Sequence, residues 1–419
     1  MDYKKIKTDN YTIHLINNKK FHTIEFRIFF TENVSEELIT YRNALVNILT
    51  YATSKYDTKK KLIKECQDLY SLYPSSISLR NGNLLSTRFG ISTIKSKYIN
   101  EDNLKENILL LKEIILNPLV KDGAFLEKYF NIVKKELETE SNTIIEDPRL
   151  YASLELLKIL NDGGVIYSGY TDLNILNKMT AHTLYESYLL MLKNSKIDIF
   201  VSGDISNPNK IIDIIKNNFI FKDNKPLIKD GLVIHERNKK QVNYKEETRN
   251  FSQSKLVMGY KLYDLTDDEN RYVSFVFNNL LGSGVNSLLM RDIREEKSLC
   301  YYINSHINRL DNIMMISSGI NKGNYEEVVK LTKEIINKVI DGNFSDGDLA
   351  DSKMEILFSL SSVLESNRSI IEYYYGMEMF HSAVIEERMK KIENIKKEDI
   401  MEFAKKIEMK AIFFLKGDL

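Results

Sequence analysis

Arg42-Asn43-Ala44-Leu45-Val46-Asn47-Ile48-Leu49-Thr50-Tyr51-Ala52-Thr53 decides how this 419-residue chain is read. With the residues just before it, the stretch has the apolar spacing of an amphipathic helix over 39–54, with Tyr41, Leu45, Ile48, Leu49 and Ala52 on the buried stripe. Taken alone, that describes an ordinary core helix. The polar positions say more: Asn43 and Asn47 stand one helical turn apart on the same side, and Val46 lies between them. Histidines at that spacing could grip a Zn²⁺ ion, with a glutamate between them as general base. Asparagine amides bind Zn²⁺ weakly, and valine neither accepts nor delivers a proton. The chain's histidines are His14, His22, His182, His235, His306 and His381, and no two of them have the metal-helix spacing.

The chain is long enough for two to four domains of ordinary size. Its 59 basic and 59 acidic residues cancel, so no global field draws it to nucleic acid or to an anionic membrane. Behind Met1-Asp2-Tyr3-Lys4-Lys5-Ile6-Lys7 there is no apolar run, and no later segment has the length and apolarity of a membrane span, so the expected location is cytoplasmic. Cys66 and Cys300, the only cysteines, form no metal or redox motif and are expected to be buried and unreactive.

An internal duplication is legible around the opening stretch. Ile24, Phe26, Ile28 and Phe30 alternate with Thr23, Glu25, Arg27 and Phe29 as in a half-buried strand, and Leu256, Met258, Tyr260 and Leu262 repeat the pattern. Asn83 to Ile91 matches Asn312 to Ile320, each a strand leaving a turn at Asn. Helical stripes follow at Leu104, Ile108, Leu111, Ile115 and at Val328, Leu331, Ile335, Val339, and Ile197 to Asp204 matches Ala411 to Asp418. Four matches in the same order predict two copies of one α+β unit, residues 1–220 and 232–419, with 221–231 as a Pro- and Gly-containing linker.

Aligned on Ala52-Thr53, the helix resembles the zinc helix of the insulinase/pitrilysin family, whose His-x-x-Glu-His is followed by an apolar pair and Gly-Thr. Asn43 and Asn47 then take the histidine positions and Val46 the glutamate position. A second stretch, Leu280 to Tyr302, is similar to the family's second-half signature: a Leu-Gly-Gly turn at Leu281-Gly282-Ser283, a helix ending in Arg294-Glu295, and Ser298-Leu299-Cys300-Tyr301 for Gly-Leu-Ala-Tyr. The resemblance implies that Arg294 and Tyr301 hold a substrate's backbone, which suits a forked guanidinium and a phenolic donor. Read without it, Gly282-Ser283-Gly284 is a helix cap and Arg294 a solvated charge. The family's third zinc ligand corresponds to Glu140, upstream of Glu146-Asp147-Pro148; without the family, it is one more charge at an acidic helix end.

Together these resemblances cover nearly the whole chain. They imply an α+β fold of two homologous insulinase-family halves, each an antiparallel-rich sheet covered by helices, forming a clam-like half chamber. They also imply a non-catalytic, peptide-binding subunit with no cofactor of its own. Its partner would be a zinc-bearing insulinase-family paralogue and its substrate an extended peptide, with neither nucleic acid nor membrane involved. A stand-alone peptide-binding or maturation protein and a structural subunit like the core proteins of the respiratory cytochrome complex remain open, as does an enzyme with an unorthodox site.

Overall fold

The computed structural model describes residues 1–70, 72–99, 101–161, 170–229, 231–237 and 241–418. They divide into two compact units. The first takes Met1–Asn142, the described part of Ile166–Gly231, and Leu364–Tyr375; the second takes the described part of Thr143–Val165, Leu232–Val363 and Gly376–Leu419.

The first unit is built on β1 (Asp2–Lys7), β2 (Thr12–Asn17), β3 (Thr23–Asn33), β4 (Ser75–Asn81), β5 (Leu84–Ile94) and β8 (Lys196–Gly203), in the order β1-β2-β8-β3-β5-β4, with a short hairpin of β6 (Val120–Lys121) and β7 (Ala124–Phe125) beside it. The second is built on β9 (Asn243–Arg249), β10 (Ser254–Leu262), β11 (Cys300–Asn308), β12 (Ile313–Ile320) and β13 (Ile407–Gly417), in the order β11-β12-β10-β13-β9. The series β4-β5-β3-β8-β2 of the first sheet thus recurs strand for strand in the second. In each series only the last pair, β8 with β2 and β13 with β9, runs parallel. The fold class is α+β, as the sequence predicts.

The strands differ from expectation in their burial. Alternation predicts half-buried strands, yet β3 is buried along almost its whole length. Ile24, Phe26, Ile28 and Phe30 enter a helix-covered core. On the other face Glu25, Arg27, Phe29 and Thr31 are also buried, because the start of the helix Asn367–Phe380 covers them. The Tyr375 ring meets Phe29 edge-on at 4.7 Å and its hydroxyl bonds the Thr31 hydroxyl at 3.1 Å. Arg88 stacks on Phe29 and Tyr375 and donates to both Glu372 carboxylate oxygens, at 2.7 and 2.6 Å. Buried polar groups on this face are partnered, Arg27 with Glu25 at 2.7 Å and His14 with Asp198 at 3.0 Å, as burial requires.

The second sheet is treated alike. The helix Pro148–Leu160 starts at Asp147, whose carboxylate accepts the backbone N–H groups of Arg149 and Leu150. It lays Ala152, Leu156 and Leu160 on Val257, Ala411, Phe413 and Leu415, while Leu256, Met258, Tyr260 and Leu262 face the other core. Gly259 allows the close approach, since a Cβ there would sit 2.8 Å from Leu160 Cδ1 and 3.2 Å from Leu156 Cδ2.

Two local expectations change. The opening stretch is helical over Glu36–Ile48 rather than 39–54. The Ser35 hydroxyl caps its start, accepting from the Leu38 N–H. At the other end the Thr50 hydroxyl donates to the carbonyls of Val46 and Asn47 and that of Ser76 also donates to Val46, so side chains satisfy groups a longer helix would have used. The segment 221–231 is irregular but firmly held to the first unit. Phe221 is in the core, the Asn224 amide donates to the carbonyls of Leu192 and Ser195, and Gly231 O accepts the Asn83 N–H at 2.8 Å. Asp230 of that segment lies outside the described residues. Cys66 and Cys300 are buried free thiols, and burial, with Glu65 adding, pushes that of Cys66 up to about 11.

Gly259→Val should destabilise the protein by about 2 kcal/mol through overpacking against the Pro148–Leu160 helix. Combined with Leu160→Ala it should cost less than the sum of the single changes. Denaturant midpoints of the three variants test this; strict additivity would show that Gly259 and Leu160 do not compete for the same space.

Candidate functional site

On the Glu36–Ile48 helix, Arg42 is the most deeply committed residue. Its side chain is 1 % exposed and forks onto Glu32, Nε to Oε2 at 2.8 Å and Nη2 to Oε1 at 2.9 Å, while Nη1 donates to the carbonyl and hydroxyl of Ser187. Charge so fully buried holds only because each donor has a partner. The sequence carried one sign of it: Arg42 occupies an i−3 position to Leu45 on an otherwise apolar face.

Asn43 and Asn47 are half-buried and engaged within the unit. The Asn43 amide donates to Tyr170 O at 3.2 Å and to the Thr171 hydroxyl at 3.3 Å, and the Asn47 amide donates to Asn43 O at 2.9 Å. Thr171 O accepts from the Ser141 hydroxyl, and Thr40 accepts from the Asp172 N–H. Residues 170–172 thereby lace the Glu36–Ile48 helix to the helix Glu127–Thr143, which also carries Glu140, exposed and one residue before Ser141. One turn earlier Glu136 accepts the Tyr51 phenol at 2.8 Å, and burial together with this bond pushes Tyr51 up to about 12. Val46 belongs to the apolar core. These donors do not fit zinc: the amide N–H groups point at oxygen atoms of the chain, and no imidazole or thiolate is in the set. Among the described residues no three His, Cys, Asp or Glu are grouped so as to hold a metal ion.

In the second unit, Gly282 and Gly284 end a π-helical turn, Asn279–Ser283, with the Gly284 N–H on Asn279 O. A second turn, Met290–Glu295, carries Arg294, which is exposed and reaches Met290 Sδ at 3.5 Å. Ser298 follows at φ 54, its N–H on Arg294 O, and the Leu299 N–H returns to Ile293 O. Ser298 thus stands in the left-handed region that favours glycine, the residue the family signature has there. The chain then enters β11, the edge strand of its sheet. Between Cys300 and Tyr302 the register against β12 slips, so Tyr301 sits in a β-bulge, 59 % exposed, with its hydroxyl 3.4 Å from Asn321 Oδ1. Bulges re-aim side chains and are common at sheet edges. Burial pushes the Cys300 thiol up; a hydrogen bond with Ser318 and the charge of Arg294 oppose it. Neither the bulge nor the strand's place at the edge could be read from the sequence.

Residues 178–356 match the Peptidase M16 inactive domain family. The chain is 26% identical to the probable inactive metalloprotease YmfF of Bacillus subtilis (strain 168) over 99% of this chain and 97% of that protein. It is 27% identical over 33% of its length to an uncharacterized zinc protease, YmxG, of the same strain, covering 34% of that protein. Among solved structures, a conserved protein from Enterococcus faecalis V583 superposes with a TM-score of 0.92 at 24% identity, over 100% of this chain and 99% of that one. Over residues 178–356 the chain thus matches the peptidase M16 inactive domain, and over nearly its whole length it is similar to a probable inactive metalloprotease. Among the described residues no helix is long and apolar enough to cross a membrane.

Two substitutions test the local readings. Val46→Glu should destabilise the chain by about 3 kcal/mol at pH 7, because an unpaired carboxylate enters an apolar core. A buried acid has its folded pKa raised, so the deficit should shrink as pH falls toward the unfolded carboxylate value near ~4.3. Melting curves of variant and wild type across that range check the sign; a deficit that does not change with pH would mean the side chain escapes to solvent. Ser298→Gly should stabilise by about 1 kcal/mol by relieving a left-handed serine, seen as a higher denaturant midpoint.

Proposed function

We propose that this chain is the non-catalytic, peptide-binding subunit of a heterodimeric insulinase-family peptidase, paired with a zinc-bearing paralogue that supplies the only zinc and working in the cytoplasm on an extended peptide. Residues 1–220 and 232–419 are read as its two homologous halves, a reading supported by the repeated strand order. In this reading Asn43, Val46 and Asn47 are the degenerate zinc-helix positions and Glu140 is a vestigial ligand. Arg294 and Tyr301 are the residues that hold the peptide.

One observation carries the proposal. The positions Asn43, Val46 and Asn47 are turned to internal structural bonds and core packing, while Arg294, on the turn before β11, and Tyr301, in the bulge of that edge strand, remain exposed. An edge strand offers unpaired backbone groups to which an extended peptide can add, each hydrogen bond contributing about 1 kcal/mol. The exposed Arg and Tyr supply fixed donors for peptide carbonyls beside it.

The experiment is co-expression with the zinc-bearing paralogue, followed by titration of a labelled unfolded peptide. The two chains should co-elute, and Arg294→Ala and Tyr301→Phe should each weaken peptide binding or partner turnover by about 1 to 3 kcal/mol, non-additively, with unchanged melting temperature. Separate elution with unaltered partner activity would refute the heterodimer. Wild-type affinity with a collapsed melting temperature would make the two residues structural.

A further inference from the structure

Tyr302 follows Tyr301 on β11 but is held quite differently. It stands opposite Gly319 of β12, and Gly319 stands opposite Lys255 of β10, so these residues form a row across the strands. The middle position has no side chain: a Cβ there would lie 2.5 Å from Tyr302 Cε1 and 2.6 Å from Gln253 Oε1. The tyrosine ring therefore lies over the glycine and reaches toward Lys255, whose Nζ is 5.6 Å from the ring centre. From the first turn of the helix Pro148–Leu160, Arg149 brings its guanidinium carbon to 4.0 Å from the centre of the same ring. Two cations thus share one aromatic ring.

Neither cation has a carboxylate of its own. Lys255 is half-buried and bonds the side-chain oxygen of Gln253, and among the described residues neither it nor the exposed Arg149 is in an ion pair. The acids at hand are committed elsewhere. Asp147 caps the helix, its Oδ1 accepting the N–H groups of Arg149 and Leu150 at 2.9 and 3.1 Å. Glu247, two strands from Lys255 along the same row, holds Arg249 at 2.6 Å and accepts the Tyr151 phenol at 2.8 Å. Burial and the charge of Arg149 hold the Lys255 ammonium below its usual range, and Asp147 opposes them. The π face of the tyrosine offsets part of this. A carboxylate lying against both cations would offset more, because it can accept from the guanidinium fork and from the ammonium together.

We propose that Arg149 and Lys255, held on the Tyr302 ring, form a subsite for a carboxylate of the bound peptide, whether an acidic side chain or the free C-terminus. The subsite rests on the reading that an extended peptide adds at β11 beside Arg294 and Tyr301. It gives that reading a substrate class: peptides with an acidic group close to the segment that pairs with the strand. Arg294 and Tyr301 hold the backbone of such a peptide, and Arg149 and Lys255 select its charge.

The test is binding of fluorescein-labelled peptides to the full chain, read by anisotropy at fixed ionic strength. The set is a neutral, unfolded peptide with an amidated C-terminus, the same peptide with a single Glu or a single Gln moved along it, and the same peptide with a free C-terminus. Wild type should bind one Glu position, or the free C-terminus, about tenfold more tightly than the neutral counterpart. The arm that shows the gain identifies the carboxylate as side chain or terminus. Arg149→Met and Lys255→Met keep the aliphatic stems, and each should cut the gain to about twofold or less, with neutral-peptide affinity and Tm unchanged. Lys255→Arg should retain the gain. Should Lys255→Met not fold, Arg149→Met, at an exposed position, carries the readout. Arg294→Ala should weaken neutral and acidic peptides alike and leave the gain in place. If wild type binds the neutral peptide and no acidic one better, or if Arg149→Met keeps the full gain, the subsite is overturned and the peptide-binding reading stands. If no peptide of the set binds, that reading has failed and the subsite falls with it.

Discussion

The central strands of each sheet of this protein are buried on both faces, and the second face is covered by one helix from a remote stretch of sequence. Tyr375 and Glu372 close the face of the first sheet that bears Phe29, Thr31 and Arg88. Leu156 and Leu160 close the face of the second that bears Val257 and Phe413. Without those helices, polar pairs such as Arg27 with Glu25 and His14 with Asp198 would lie on a solvated surface rather than inside. The two covers differ in chemistry. The first sheet's second face is polar and aromatic and held by directed bonds, whereas that of the second is aliphatic and held by shape, down to the missing side chain of Gly259. Neither linear half of the chain contains all the residues of one unit.

That constraint gives the Glu36–Ile48 helix its character. It is fixed from within by the Arg42 fork on Glu32 and Ser187, and along its polar side by the lacing through residues 170–172. Amides that donate to oxygen atoms of the chain, and a valine in the core between them, make this a structural helix. The stretch around Arg294 and Tyr301 is built on the opposite plan, with polar groups left outward at a sheet edge and strain accepted at Ser298.

The strands β3, β5, β10 and β12 were legible because they rest on local alternation. Cys66 and Cys300 were likewise readable as buried thiols. The helix boundary at Ile48 was not, since it depends on the hydroxyls of Thr50 and Ser76 capturing carbonyls, and Ser76 comes from a different element. The polar residues of β3 looked solvent-facing for a similar reason: alternation reports which residues share a face, not what lies over it.

By itself, then, the sequence determined the class of fold, the resemblance to the insulinase family and the absence of His-x-x-Glu-His, all of which follow from residue types at short range. Only the tertiary structure decided which helix covers which sheet, where Asn43 and Asn47 direct their amides, and that Tyr301 stands in an edge-strand bulge. Each of these depends on contacts between residues far apart in the chain, and no local pattern encodes which distant partner arrives.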